Sequence, residues 1–214
     1  SYRKAIEIEP NYFEAHYNLG NLMLELGKLQ DAVQIYNKAL DLKPDDAKTS
    51  NNLGLAKKGL GKLEEAVVNF SKATDLNPNL TEAHNNLGLS YYSLRQLDEA
   101  VISFQKALDI DPNFYDAHNN LGGTLKELGR LDEAKASFQK SIELKPDFAE
   151  AHNNLGVIYL EQGNIDEAVK EIDVALSHQP ERVGWRIKKA LFMPVIPHSQ
   201  EDIETRRDTL EKSL

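Results

Sequence analysis

The hexapeptide Ala83-His84-Asn85-Asn86-Leu87-Gly88 recurs unchanged at residues 117–122 and 151–156. Looser copies stand at 15–20, Ala-His-Tyr-Asn-Leu-Gly, and at 49–54, Thr-Ser-Asn-Asn-Leu-Gly. Successive copies lie 34 residues apart, and six of the eight prolines, Pro10, Pro44, Pro78, Pro112, Pro146 and Pro180, keep the same interval. A period of this length marks stacked structural repeats and has to be read before any local motif. Residues 81–114 and 115–148 are identical at 17 of 34 positions, so the period reflects internal duplication rather than shared composition.

Each unit holds two stretches of helical periodicity, broken at Gly27, Gly61, Arg95, Gly129 and Gly163 and closed by the proline. The first helix carries Leu-Gly at its seventh and eighth positions, as in Leu19-Gly20 or Leu121-Gly122. The second carries Ala32, Ala66, Ala100, Ala134 and Ala168, followed four residues later by Tyr36, Phe70, Phe104, Phe138 and Ile172. Small residues let helices approach closely, and the large residue fills the space beside them. Five helical hairpins are expected at 13–46, 47–80, 81–114, 115–148 and 149–182. Residues 1–12 read as the second-helix tail of a truncated sixth unit, with Tyr2, Ala5 and Pro10 in register. The chain opens Ser1-Tyr2-Arg3-Lys4 without a starting Met, so its natural beginning is expected to be absent.

These residues resemble the tetratricopeptide repeat, whose pattern is Leu-Gly, then Ala with an aromatic four later, then Pro, at a 34-residue period. The resemblance covers 13–182 and implies an all-α fold, a right-handed superhelical solenoid of repeats. The family's usual Trp near the start of the unit is replaced by His16, His84, His118 and His152, with Ser50 in the second copy. A hairpin cannot bury its apolar faces alone, so neighbouring units stack into a quasi-one-dimensional array. First helices line the inner wall of such arrays.

At 100° per residue, unit positions 4, 7, 8 and 11 form one face of the first helix, the expected packing face. Positions 2, 6, 9 and 13 lie roughly opposite and are expected on the inner wall. Position 6 is Asn18, Asn52, Asn86, Asn120 and Asn154. An unpaired amide gains nothing inside an apolar core, so five copies on the open face imply a shared use. One reading has the amides holding the main chain of an extended peptide. The other has them bonding adjacent first helices and fixing their packing. Position 5 is Tyr17, Asn51, Asn85, Asn119 and Asn153, and Asn21 holds position 9 of the first unit. With Glu82, Asp116 and Glu150 at position 2, the wall is expected to be acidic, which disfavours a Lys/Arg carboxylate clamp and favours a neutral to basic partner segment. The asparagine row further resembles the repeat portion of O-linked N-acetylglucosamine transferases and the SPINDLY family, in which such a row contacts substrate backbone. The stretch from Arg186 to Pro197, followed by Ser199 to Glu204, is similar to the junction that leads into the glycosyltransferase domain of bacterial members. Nothing in the chain matches that domain, so the resemblance implies the recognition part without a catalytic one.

The net charge of −9 argues against nucleic-acid or anionic-membrane partners, since neither attracts an acidic surface. The chain has no cysteine, which excludes disulfides, thiolate metal sites and cysteine nucleophiles. No apolar run approaches the ~18 residues of a membrane span, and a cytoplasmic location is expected. The periodic histidines sit in different units and cannot converge on one ion, so they are expected to pack helices with a paired ring nitrogen. Pairs such as Asp98-Glu99, Asp132-Glu133 and Asp166-Glu167 begin second helices, where the helix dipole favours them. No phosphate loop, nucleophile elbow or HExxH pattern occurs. The expectation is a non-enzyme without cofactor or metal, which could also self-associate through an uncovered amino-terminal face. After Pro180 the period breaks. Residues 183–214 are expected to cap the array with a helix carrying Trp185, Ile187, Leu191 and Phe192. Pro194 and Pro197 would end it, and a capping box at Ser199 and Asp202 would open a polar helix to Leu214.

Overall fold

The computed structural model describes residues 2–192 together with residues 204, 207 and 208. The capping box at Ser199 and Asp202, the two late prolines, most of the final polar helix and the side chains of Leu191 and Phe192 lie outside what it describes. Every element among the described residues is helical. In chain order these are α1 (Tyr2–Ile8), α2 (Phe13–Glu25), α3 (Leu29–Leu42), α4 (Ala47–Gly59), α5 (Leu63–Leu76), α6 (Thr81–Ser93), α7 (Leu97–Ile110), α8 (Tyr115–Glu127), α9 (Leu131–Leu144), α10 (Ala149–Glu161), α11 (Ile165–His178) and α12 (Val183–Phe192). They fall into two compact units, 1–112 with α1 to α7 and 113–214 with α8 to α12.

Within a hairpin, the two helices meet where Leu-Gly faces the large residue of the partner. Tyr36, Phe70, Phe104, Phe138 and Ile172 are fully buried, as are the alanines four residues before them. A Cβ built on Gly54, Gly88 or Gly122 would lie 2.7 or 2.8 Å from the ring of Phe70, Phe104 or Phe138. Glycine is therefore required at this position by the ring that covers it. At Gly156 the same Cβ would meet Cγ1 of Ile172 at 2.9 Å.

The break between helices has one recurrent geometry. Gly27, Gly61, Gly129 and Gly163 have φ between +67° and +77°, and Arg95 adopts +63°. Around Gly61, its amide donates to the Lys58 carbonyl and the Lys62 amide to the Lys57 carbonyl, at 2.9 and 3.0 Å. This is the Schellman pattern that pairs the last carbonyls of a helix, and it needs a left-handed residue.

The buried stripe of the first helices is wider than the expected face. Positions 7 and 8 are buried, but so is position 10, with Ala56, Ser90, Thr124 and Ile158 all at 0% exposure. Position 11 is only half buried at Lys57, Tyr91 and Tyr159. The reason is that an inner first helix such as α4 packs against α5, the preceding α3, and the first helices α2 and α6. The hydroxyls that this burial captures are satisfied locally: Ser90 donates to the Asn86 carbonyl and Thr124 to the Asn120 carbonyl, both at 2.9 Å.

Candidate functional site

Asn52, Asn86, Asn120 and Asn154 stay half exposed, each one turn before a buried position 10. Their amides connect successive first helices. In the first unit the Asn86 Nδ2 donates to Asn51 Oδ1 at 3.1 Å, Asn51 Nδ2 to Asn52 Oδ1 at 3.1 Å, and Asn52 Nδ2 to Asn21 Oδ1 at 3.0 Å. The Tyr36 hydroxyl donates to that same Asn21 oxygen at 2.7 Å. A polar ladder thus runs from α6 through α4 to α2. Its end is built differently because position 5 of the first repeat is Tyr17, so Asn21 supplies the acceptor. In the second unit Asn154 Nδ2 donates to Asn119 Oδ1 at 3.0 Å, and Asn153 Nδ2 to Asn154 Oδ1 at 3.4 Å.

This geometry corrects part of the expected site. Asn51, Asn85 and Asn153 are buried, with 7% or 8% exposure, and do not belong to an open surface. Position 5 faces the following first helix, a neighbour that a helical wheel drawn for one helix does not contain. Asn119, Asn18 and Asn21 are half exposed. Glu82 is exposed, whereas the Glu150 carboxylate is taken by Gln179 Nε2 at 3.1 Å and Arg182 Nη2 at 3.2 Å. Burial raises the half-buried Asp116 carboxyl above its ordinary pKa, outweighing the opposing hydrogen bond of Tyr115 and the charge of Lys145. The acidic wall is therefore partly compensated.

Packing does not exhaust the ladder amides. A carboxamide has two N–H donors and an oxygen with two lone pairs. Asn52, Asn86 and Asn154 each commit one N–H to the preceding helix, which fixes the orientation of the second.

The histidines tie each repeat to the turn before it. His16, His84 and His152 place Nε2 at 2.9, 3.0 and 3.0 Å from the carbonyls of Pro10, Pro78 and Pro146. In the repeat with Ser50 instead, Asp46 caps α4, accepting from the Thr49 amide at 2.8 Å and from its hydroxyl at 2.7 Å. Only the fifth repeat adds a carboxylate: His152 Nδ1 lies 2.6 Å from Glu171 Oε2. Both ring nitrogens then face acceptors, an arrangement that suits imidazolium, and the Glu171 hydrogen bond raises the His152 pKa against the opposing effect of burial. Among the described residues, no three His, Asp or Glu side chains are grouped to hold a metal ion, and no helix is long and apolar enough to cross a membrane.

Hairpins joined face to face, with a half-exposed polar row and no converging reactive groups described, define a helical-repeat binding scaffold. Sequence models of the tetratricopeptide repeat match residues 20–61, 59–95 and 122–163, with further repeat models at 1–34, 81–114, 103–136 and 149–182. The chain belongs to the tetratricopeptide repeat family. No curated protein sequence matches it. Among solved structures it is similar to YrrB, described as a TPR protein with an unusual peptide-binding site, at 28% identity and TM-score 0.70, covering 88% of this chain and 97% of that one. MamA is similar at 27% identity and TM-score 0.69, covering 77% and 96%. PilF of Pseudomonas aeruginosa shares the fold at 18% identity and TM-score 0.81, covering 94% and 88%.

Proposed function

We propose that the chain is a peptide-binding module. Its first helices take an extended segment of a partner protein, and the second N–H groups of the position-6 asparagines hold the segment's main chain. The observation that carries this reading is the oriented, half-exposed amide of Asn52, Asn86 and Asn154, each fixed by a bond to the helix before it. Orientation in advance lowers the entropy lost when a ligand is bound. The 28% identity to a protein described as having a peptide-binding site supports the same reading. Main-chain recognition implies little sequence preference at these points, with discrimination left to neighbouring side chains such as exposed Glu82.

The test changes Asn52, Asn86, Asn120 and Asn154 together to Ala and measures both peptide affinity and thermal unfolding. Each amide is expected to contribute about 0.5 to 1.5 kcal/mol to binding, so the quadruple variant should nearly abolish it. Intact affinity with a lowered melting temperature would assign the ladder to packing alone. The resemblance to O-linked N-acetylglucosamine transferases makes substrate recognition for such an enzyme the parent role we favour. The pure chain is then expected to transfer no sugar from a nucleotide sugar.

A second reading, self-association, is favoured by one observation. Tyr2 is 44% exposed where its counterparts Tyr36, Phe70 and Phe104 are fully buried, and Leu22 and Leu26 beside it are exposed as well. Sedimentation over a concentration range separates a second copy on this face from a monomer that binds peptide.

A further inference from the structure

One period beyond Asn120 and Asn154, the register position of the ladder falls on Lys188 of α12. The direction of the ladder is set by Asn154, whose amide reaches back from α10 to Asn119 of α8. The same register directs Lys188 back toward α10. There the corresponding acceptor, Asn153 Oδ1, is buried and has no hydrogen-bond partner. From the opposite side Lys126 of α8 reaches forward, its ammonium 3.9 Å from Glu161 of α10. Two ammonium groups thus approach one helix from its two neighbours, on the side where Asn154 is half exposed.

Their charges are not balanced. Glu161 answers Lys126 at long range, and no carboxylate among the described residues pairs with half-buried Lys188. Other cations near it differ: Lys189 pairs with Asp173, and Arg182 with Glu150. Burial first, and then the charge of Lys126, hold the Lys188 ammonium below its ordinary pKa, as expected for a cation whose counter-charge is missing.

We propose that the wall formed by α8, α10 and α12 seats an acidic side chain, Asp or Glu, of the bound segment, its carboxylate between Lys126 and Lys188 and within reach of the Asn154 amide. This rests on the peptide-binding reading and gives it a chemistry. The preference at this end of the second unit is the reverse of the basic one that Glu82, Asp116 and Glu150 implied from sequence. A carboxylate would neutralise the uncompensated charge, and its charge-assisted bonds are stronger than those of a neutral group.

The probe is a random dodecapeptide library displayed on phage, selected on the full chain and, in parallel, on the Lys126→Gln/Lys188→Gln double variant. Selection on the natural chain is expected to enrich Asp or Glu at one fixed position of the recovered peptides. Replacing that residue by Asn or Gln in a synthetic peptide should weaken binding roughly tenfold, the effect of one charge-assisted hydrogen bond. The double variant should show the same loss with the acidic peptide and none with the amide peptide, and the difference should shrink at high salt. Changing the peptide leaves the protein untouched, so a folding defect cannot imitate the result. Peptides that bind without acidic preference, equally to both proteins, would overturn the acidic seat and leave the groove standing. Recovery of no peptide at all would overturn both.

Discussion

Gly88 and Gly61 are both indispensable residues, for different reasons that substitution separates. A methyl group on Gly88 would enter the space of the Phe104 ring, its Cβ 2.7 Å from Cε1, while Gly61 has nothing within 4 Å and is held only by its φ of +75°. Gly88→Ala is therefore expected to cost about 1 to 3 kcal/mol through overpacking. Gly61→Ala should cost about 1 kcal/mol through backbone strain. Denaturant unfolding of both variants, with Phe104→Leu added to Gly88→Ala, checks the distinction. The smaller side chain should return part of the loss, and a loss unaffected by Phe104→Leu would refute the steric account. The need for glycine at both places was legible from the sequence, because the Leu-Gly pair, the aromatic and the inter-helix break repeat at one period. The burial of Asn51, Asn85 and Asn153 was not. It depends on a second first helix alongside, and nothing within one repeat signals how near that helix comes.

Among the helices, α10 and α11 form the hairpin whose stability depends on pH in a specific direction. His152 has a raised pKa in the folded chain, caused chiefly by the Glu171 hydrogen bond. A group raised on folding contributes its full stabilisation below the unfolded value, about 6.5 for histidine, and loses it as the pH climbs through the folded value. The natural chain should therefore be more stable than Glu171→Gln at pH 6, with the gap closing as the pH is raised above the folded pKa. Thermal unfolding of both proteins from pH 5.5 to 9 measures it, and a gap that is constant or widens with pH would exclude the imidazolium. This pair escaped the sequence reading because the position of Glu171 holds Ile35, Asn69, Ser103 and Ser137 in the other repeats. Periodicity reveals what repeats share and is silent on what only one of them carries. At the chain's end, α12 packs against α11, with Trp185 half buried and the Arg182 guanidinium 5.2 Å from its ring centroid. Deleting 183–214 is expected to expose apolar surface of α11 and lower stability by a few kcal/mol. Unchanged unfolding of the truncated chain would show that α12 does not act as a cap.

For the whole molecule, the hairpins and their boundaries follow from a period written in prolines, glycines and alanines, whereas the chemistry of the wall lies in residues that break the period. Tyr17, Glu171 and Lys188 each stand where the pattern alone would place something else. The ladder itself has a further consequence. Neighbouring first helices in a stack stand roughly 10 Å apart, and an extended chain advances about 3.3 Å per residue. Amides spaced one per repeat would then meet every third residue of a bound segment, so the wall would act as a ruler graduated in triplets. A scan that N-methylates the main-chain nitrogens of a bound peptide one at a time is expected to weaken binding with a periodicity of three. The two intervening positions in each triplet should tolerate the methyl group, and a loss without that rhythm would mean that the spacing of the repeats is not what the partner is measured against.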